Sequence, residues 1–244
     1  MQTNYRWMLL RLSVVGVGIL MLFGIAHFSM ADITMPVIAQ AQHVHFADIG
    51  DFGLAGRLEA GVANLVKSWS PEFIITNGDN NYQLGGADTI DENIGQYYHD
   101  YIYPYKGIYG AGATENRFWP ALGDHDWKSL ACTGTVCTGP HFDYFTLPGN
   151  ERYYDIVKGP VHIFFLDNNN TEPDGYTSTS IQAQWLQAQL AAATEPWKIV
   201  ITQQPPYSSG SVHGSIYSAR WPFKAWGASL VIVVGIAGVV GVLV

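Results

Sequence analysis

Three aspartates stand where short apolar runs give way to turns: Asp51 in Gly50-Asp51-Phe52-Gly53, Asp79 in Gly78-Asp79-Asn80-Asn81-Tyr82, and Asp124 in Leu122-Gly123-Asp124-His125-Asp126. Carboxylate oxygens are hard donors, and three of them gathered at one sheet edge would hold hard metal ions. The histidines expected of such a site are mostly missing. That conflict sets how much chemistry the chain can claim.

Positioning these turns requires strands that end side by side. Residues 44–49, 73–76, 119–122, 161–166 and 198–202 read as short apolar strands. Asp51, Asp79, Asp124 and Asp167 follow the first four, and Gln203 and Gln204 follow the fifth. Chemistry in an open α/β sheet collects beyond the carboxyl ends of strands, so this recurrence locates a site. Leu54, Leu58, Val62, Leu65, Val66 and Trp69 recur at helical spacing before Pro71, which predicts an amphipathic helix between the first two strands. A second helix is predicted over 179–193, with Thr179 and Gln182 as a capping box and Ile181, Trp185, Ala188 and Ala192 along one face. A third is predicted over 91–103, with Ile94, Tyr98, Tyr101 and Ile102 inward. The stretches 82–89, 128–140 and 168–179 read as long loops that shape substrate access. The tyrosines between 97 and 109 read as packing, and His141 and His162 as structural.

With 244 residues and 48% hydrophobic content, the chain can bury one substantial core and reads as a single domain. Its formal charge of -8 disfavours nucleic acid and anionic membrane, because basic surface to displace phosphate counterions is lacking. A phosphate-bearing substrate would therefore need a local positive source. Residues 1–41 carry Arg6, Arg11 and an apolar stretch over 12–28, the layout of a signal peptide or an uncleaved signal anchor. The expected location is outside the cytoplasm: secreted, periplasmic or cell-surface. In an exported protein Cys132 and Cys137 read as a local disulfide, worth about 2 kcal/mol at most, against the alternative of two buried thiols. The tail 229–244 has no charged residue. It reads as a buried strand over 230–234, interrupted after that by Gly235, Gly238 and Gly241, or alternatively as a tilted membrane segment.

Over about residues 43–228 the motifs resemble those of the calcineurin-like metallophosphoesterases, and more closely the branch that includes purple acid phosphatases. Asp51-Phe52-Gly53 matches the family's Asp-x-Gly, and Gly78 to Tyr82 matches its Gly-Asp-x-x-Tyr. Gly123-Asp124-His125-Asp126 matches Gly-Asn-His-Asp/Glu with aspartate in the asparagine position. The resemblance implies an α/β fold, a sandwich of two mixed sheets flanked by helices, spanning 42–228 and incomplete at its C-terminal side. It implies that Asp51 and Tyr82 bind one metal, that Asp79 bridges two, and that Asp124 takes the second. It gives His125 the task of protonating the leaving alkoxide or orienting the phosphate, sets Asp126 beside it in the catalytic group, and turns His213 toward substrate. Two bound cations would lower a water's pKa and clamp a phosphoryl oxygen, the two-metal logic of phosphate ester hydrolysis.

The departures are specific. Gln203 stands where the family has a histidine ligand, and an amide oxygen ligates a hard ion weakly without supplying the nitrogen that favours zinc or iron. No histidine follows His213, so the terminal Gly-His-x-His is absent. The resemblance implies two divalent or trivalent ions, Fe paired with Fe, Zn or Mn; the lost histidines shift the preference toward Mn, Mg or Ca. The function so implied is metal-dependent hydrolysis of a small-molecule phosphate ester at an impaired site. The alternative is a catalytically silent fold with a binding role, or a truncated or frameshifted product.

Overall fold

The computed structural model describes residues 43–210, 214–233 and 238–243. The export-signal reading of 1–41, the assignment of His213 and the turn at Gly235 lie outside the described residues. The apolar runs do form strands. β1 (His45–Gly50), β2 (Phe73–Thr76) and β3 (Phe118–Pro120) lie parallel and in that order, so Ile75 pairs with both Asp48 and Trp119. A hairpin of β4 (Ala131–Thr133) and β5 (Val136–Thr138) follows, closed by the Cys132–Cys137 disulfide. A second four-stranded sheet runs β6 (Tyr154–Lys158), β7 (Val161–Phe165), β8 (Trp197–Thr202) and β9 (Leu230–Val233), with only the β6 pairing antiparallel. β10 (Gly238–Leu243) returns to the first sheet and pairs antiparallel with β1. Both sheets are thus mixed, as expected.

The core lies between the sheets. Ile163 and Phe165 of β7 and Ile199 and Ile201 of β8 join Phe46, Ile49, Ile74, Ile75 and Phe118 in one buried cluster. The alternate residues Phe164, Leu166 and Val200 turn to the opposite face and pack against helix residues Leu186 and Leu190 and against Trp221 and Phe223. This period-two alternation covers both faces of the second sheet and explains why its strands read as continuous apolar runs.

The tail differs from its reading. Gly238 and Gly241 sit inside β10, because a glycine still offers its N–H and C=O to a ladder even where it has no side chain to pack. Among the described residues no helix is long and apolar enough to cross a membrane.

The helices form where expected, but two present other faces. α1 (Arg57–Ser68) buries Glu59, Ala63 and Val66, leaving Leu54, Leu58 and Leu65 exposed. Small residues let the helix sit close to the core, and the leucine stripe instead lines a cavity beside the acidic turns. After α2 (Gln96–Tyr98), set between π-type and 3-10 turns in the run 91–101, come α3 (Asp124–Trp127) and α4 (Pro140–Tyr144). Ile94, Tyr98, Tyr101 and Ile102 are buried as predicted. Tyr97, Tyr98 and Tyr101 pack as read, whereas Tyr103 and Tyr109 are exposed; Tyr105 and Tyr144 each donate to Asp91 Oδ1 at 2.7 Å. α5 (Ile181–Ala192) is capped by Ser180, whose Oγ accepts the Ala183 N–H, and not by a Thr179–Gln182 box. Its buried residues are Gln182, Ala183, Leu186 and Leu190. Gln182 is drawn inward by the Asp167 backbone, accepting its N–H at 2.9 Å and donating to its carbonyl at 2.7 Å. α6 (Phe223–Trp226) closes the described helices.

His141 is structural, and uncomfortably so. It is buried against Phe142 and Phe145, and neither ring nitrogen finds a hydrogen-bond partner among the described residues. Burial lowers its pKa from 6.5 to about 3. The unfolded chain takes up this proton near pH 6.5 and the folded chain refuses it until about 3, so the group subtracts stability as pH falls through that window. His141→Leu is expected to gain about 1–2 kcal/mol at pH 7, and its advantage to widen by roughly 1.4 kcal/mol per pH unit below 6.5. Denaturant unfolding of both proteins at pH 7 and pH 5.5 checks this, and an advantage that does not widen contradicts it.

Candidate metal centre

The three acidic turns meet at the ends of β1, β2 and β3. Asp51 and Asp79 both adopt a left-handed backbone, each with φ of 53°. Aspartate tolerates this region better than most residues, and the conformation turns the chain just beyond β1 and β2. The turns are knitted by backbone hydrogen bonds: Asp51 N–H donates to Gly78 O at 3.3 Å, Gly53 N–H to Asp79 O at 3.4 Å, and Tyr82 N–H to Gly53 O at 2.8 Å. Such close approach requires glycine. A Cβ at Gly53 would overlap the Asn80 carbonyl, and one at Gly123 would overlap the Asp79 backbone nitrogen.

Tyr82 stands at the meeting point. Its hydroxyl donates to Asp79 Oδ2 at 2.9 Å. Burial, and then the negative charges of Asp79, Asp51 and Asp124, push its phenol far above the ordinary value. Asp79 is 4% exposed, accepts the His125 backbone N–H at 2.9 Å, and has its carboxyl raised by burial and by repulsion from Asp124. Negative charge crowded into low dielectric is the electrostatic condition a cation would relieve.

Asp124 and Gln203 form a reciprocal pair. Gln203 Nε2–H donates to Asp124 Oδ1 at 2.9 Å, and Gln203 Oε1 accepts the Asp124 backbone N–H at 3.1 Å. The amide oxygen read as a metal ligand is therefore engaged by the main chain, and turning the amide over would set two donors face to face. Among the described residues, no three His, Cys, Asp or Glu side chains stand close enough together to hold an ion. In donor type, Asp51, Asp79 and the Tyr82 phenol suit an oxygen-preferring cation, whereas beside Asp124 the Gln203 amide is already spent on the Asp124 main chain and carboxylate.

His125 lies 4.3 Å from Tyr82 between ring centroids, and its Nδ1 is 2.7 Å from the Gln83 carbonyl. Since a carbonyl can only accept, Nδ1 carries a proton in this contact. Asp126, read beside it as catalytic, faces the other way: it is 3% exposed and accepts the Asn80 N–H, the Asn80 side-chain amide and the Gly123 N–H. Burial raises its carboxyl to about 7 despite these donors. Asn80, which the motif contained without a role, also donates to Ala121 O and accepts from Thr76 Oγ1. Asp126 and Asn80 together clamp the second turn to the third.

Two cavities flank the acidic cluster. One, of about 750 Å³, is lined by Asp51, Tyr82 and Gln83 on one side and by Leu54, Leu58 and Leu65 on the other. The second, of about 450 Å³, lies between Asp124, Trp127 and Lys128 on α3 and the turn from Asn169 to Thr171. Trp127 is fixed there by donating Nε1–H to the buried Asp167 at 2.8 Å.

Strand-end carboxylates at one edge of a mixed sheet, in a two-sheet α/β sandwich, define the metallophosphoesterase class of fold. The chain belongs to the calcineurin-like phosphoesterase family, whose model matches residues 43–235. The fold is similar to that of a purple acid phosphatase from seeds of yellow lupin (Lupinus luteus), with a TM-score of 0.59 and 15% identity over 80% of this chain and 38% of that one. It is also similar to GAP50, described as the anchor in the inner membrane complex of Plasmodium, with a TM-score of 0.51 and 21% identity over 78% of this chain and 65% of that one. This chain thus spans 38% and 65% of the lengths of those two structures. No curated protein matches the chain.

Proposed function

We propose that the chain is a phosphoric ester hydrolase working outside the cytoplasm on a small-molecule phosphate monoester. The observation that carries this reading is the meeting of the Asp51, Asp79 and Asp124 turns at the ends of β1 to β3, with the Tyr82 hydroxyl on Asp79 at 2.9 Å. Asp51, Asp79 and Tyr82 would hold one divalent ion, of which Mn, Mg and Ca suit an all-oxygen donor set. When bound, that ion supplies Lewis acidity toward a phosphoryl oxygen and lowers the pKa of water. His125 is held by its Nδ1–H on Gln83 O and by its backbone N–H on Asp79; protonated at Nε2, it would give that proton to the ester oxygen that departs. Asp126 positions and does not react, because its carboxylate is consumed by Asn80 and Gly123.

The Asp124–Gln203 pair favours a second reading, a fold that keeps its shape without turnover. The Plasmodium structure described as an anchor shows that the architecture is also found under such a description. Calorimetric titration with Mn and hydrolysis of phenyl phosphate separate the two. The hydrolase reading expects about one ion per chain and cation-dependent turnover; absence of both leaves the silent fold.

A further inference from the structure

The cavity between α3 and the Asn169–Thr171 turn has one cation in its lining, Lys128. Its ammonium lies 3.2 Å from His125 Nε2, 2.9 Å from Nδ1 and 3.4 Å from the Gln83 carbonyl. These near-equal distances to the two ring nitrogens place the ammonium over the face of the imidazole, so its acceptor here is the Gln83 carbonyl. An ammonium carries three donors, so N–H groups are left over. The chain is otherwise acidic here: the Asp124 side chain is 51% exposed on the same wall, and the net charge is -8. Two cations border the acidic turns: Arg57 lines the cavity beside Asp51 and Tyr82, and Lys128 lines this one beside Asp124.

The remaining walls suit a flat, polar group. The Trp127 ring is held by its bond to Asp167, so it offers a fixed aromatic face. Asn170 and Thr171 are exposed at the rim, and Leu130 and Cys132 of the disulfide hairpin close the far side. Resting on the hydrolase reading, we propose that this cavity receives the alcohol part of the ester and that Lys128 selects alcohols bearing a second anionic group. Lys128 is then a specificity residue. It recognises charge at a distance from the phosphorus and forms no bond to it.

Two ester probes and their two product alcohols test this on the full chain: phenyl phosphate with phenol, and 4-carboxyphenyl phosphate with 4-hydroxybenzoate. In Lys128→Gln, the kcat/KM of the carboxylated ester relative to the neutral one is expected to fall about tenfold, through KM, which is the size of one charge-assisted hydrogen bond. Lys128→Arg is expected to retain most of the preference. The second measurement, binding of 4-hydroxybenzoate by calorimetry, needs no turnover, and Lys128→Gln should weaken it by about the same factor. If neither ester is hydrolysed while 4-hydroxybenzoate still binds through Lys128, the hydrolase reading fails and the pocket stands. Equal binding by wild type and Lys128→Gln, or no binding by the wild type, overturns the pocket whatever the activity.

Discussion

Asp79→Asn is expected to abolish cation binding and, without added cation, to raise the melting temperature. Asp79 is 4% exposed, and its carboxylate faces the negative charge of Asp124 across a desolvated turn. Removing that charge while keeping an acceptor for the His125 N–H should gain about 1–2 kcal/mol, or roughly 2–8 °C for a chain of this size. The wild type gains in turn from any ion it holds: at a hundred times Kd the linkage is about 2.7 kcal/mol. The two stabilities should therefore cross as Mn is titrated, with the variant ahead in chelator and the wild type ahead at saturation. Thermal melts over a Mn series read this directly. Parallel curves at all concentrations would show that Asp79 holds no ion.

Arg152→Met is expected to be the most damaging single change remote from the acidic turns. Arg152 is 3% exposed and donates Nε–H to both oxygens of Glu172, at 3.1 and 3.0 Å, and Nη2–H to Asp174. Glu172 has no exposed side-chain surface, and beside it Asp167 has its carboxyl raised strongly by burial and then by Glu172. Removing the guanidinium leaves acids stranded in low dielectric, which costs about 3–5 kcal/mol in comparable cases. The loss should shrink below pH 5, where the orphaned carboxyls take up protons. Urea unfolding at pH 7 and pH 4.5 checks both parts, and a loss under about 1 kcal/mol at pH 7 would show that the network relaxes around the vacancy. Nη1–H of the same arginine donates to Thr135 O in the disulfide hairpin, so the variant should also loosen the wall opposite Lys128.

The strands and the acidic turns were legible because their signals are local. An apolar run ending in Gly-Asp announces both a buried strand and a turn, and Asp51, Asp79 and Asp124 do end β1 to β3 side by side. The helix faces were less legible. Leu58 and Ile181 fit the periodicity but are 80% and 62% exposed, while Glu59 and Gln182 are buried. Gln182 is inward because the Asp167 backbone offers it two hydrogen bonds, a tertiary fact that no spacing encodes. Asp126 was misplaced for the same reason. Proximity to His125 in sequence suggested shared chemistry, whereas successive residues of a helical turn point in different directions, and this one points into Asn80. The partnership of Asp124 with Gln203 spans 79 positions and joins two sheets, so it could be seen only once the chain was folded.

That partnership has an evolutionary corollary. Asp51, Asp79, Tyr82 and Asp124 all hang from the first sheet, whereas among the described residues the second sheet contributes Gln203. Drift in the second sheet can erase a ligand and have the gap mended by an amide, at no cost to the scaffold that presents the others. The two halves of the centre are then free to decay at separate rates, and a lineage could shed one ion while its descendants inherit the other intact.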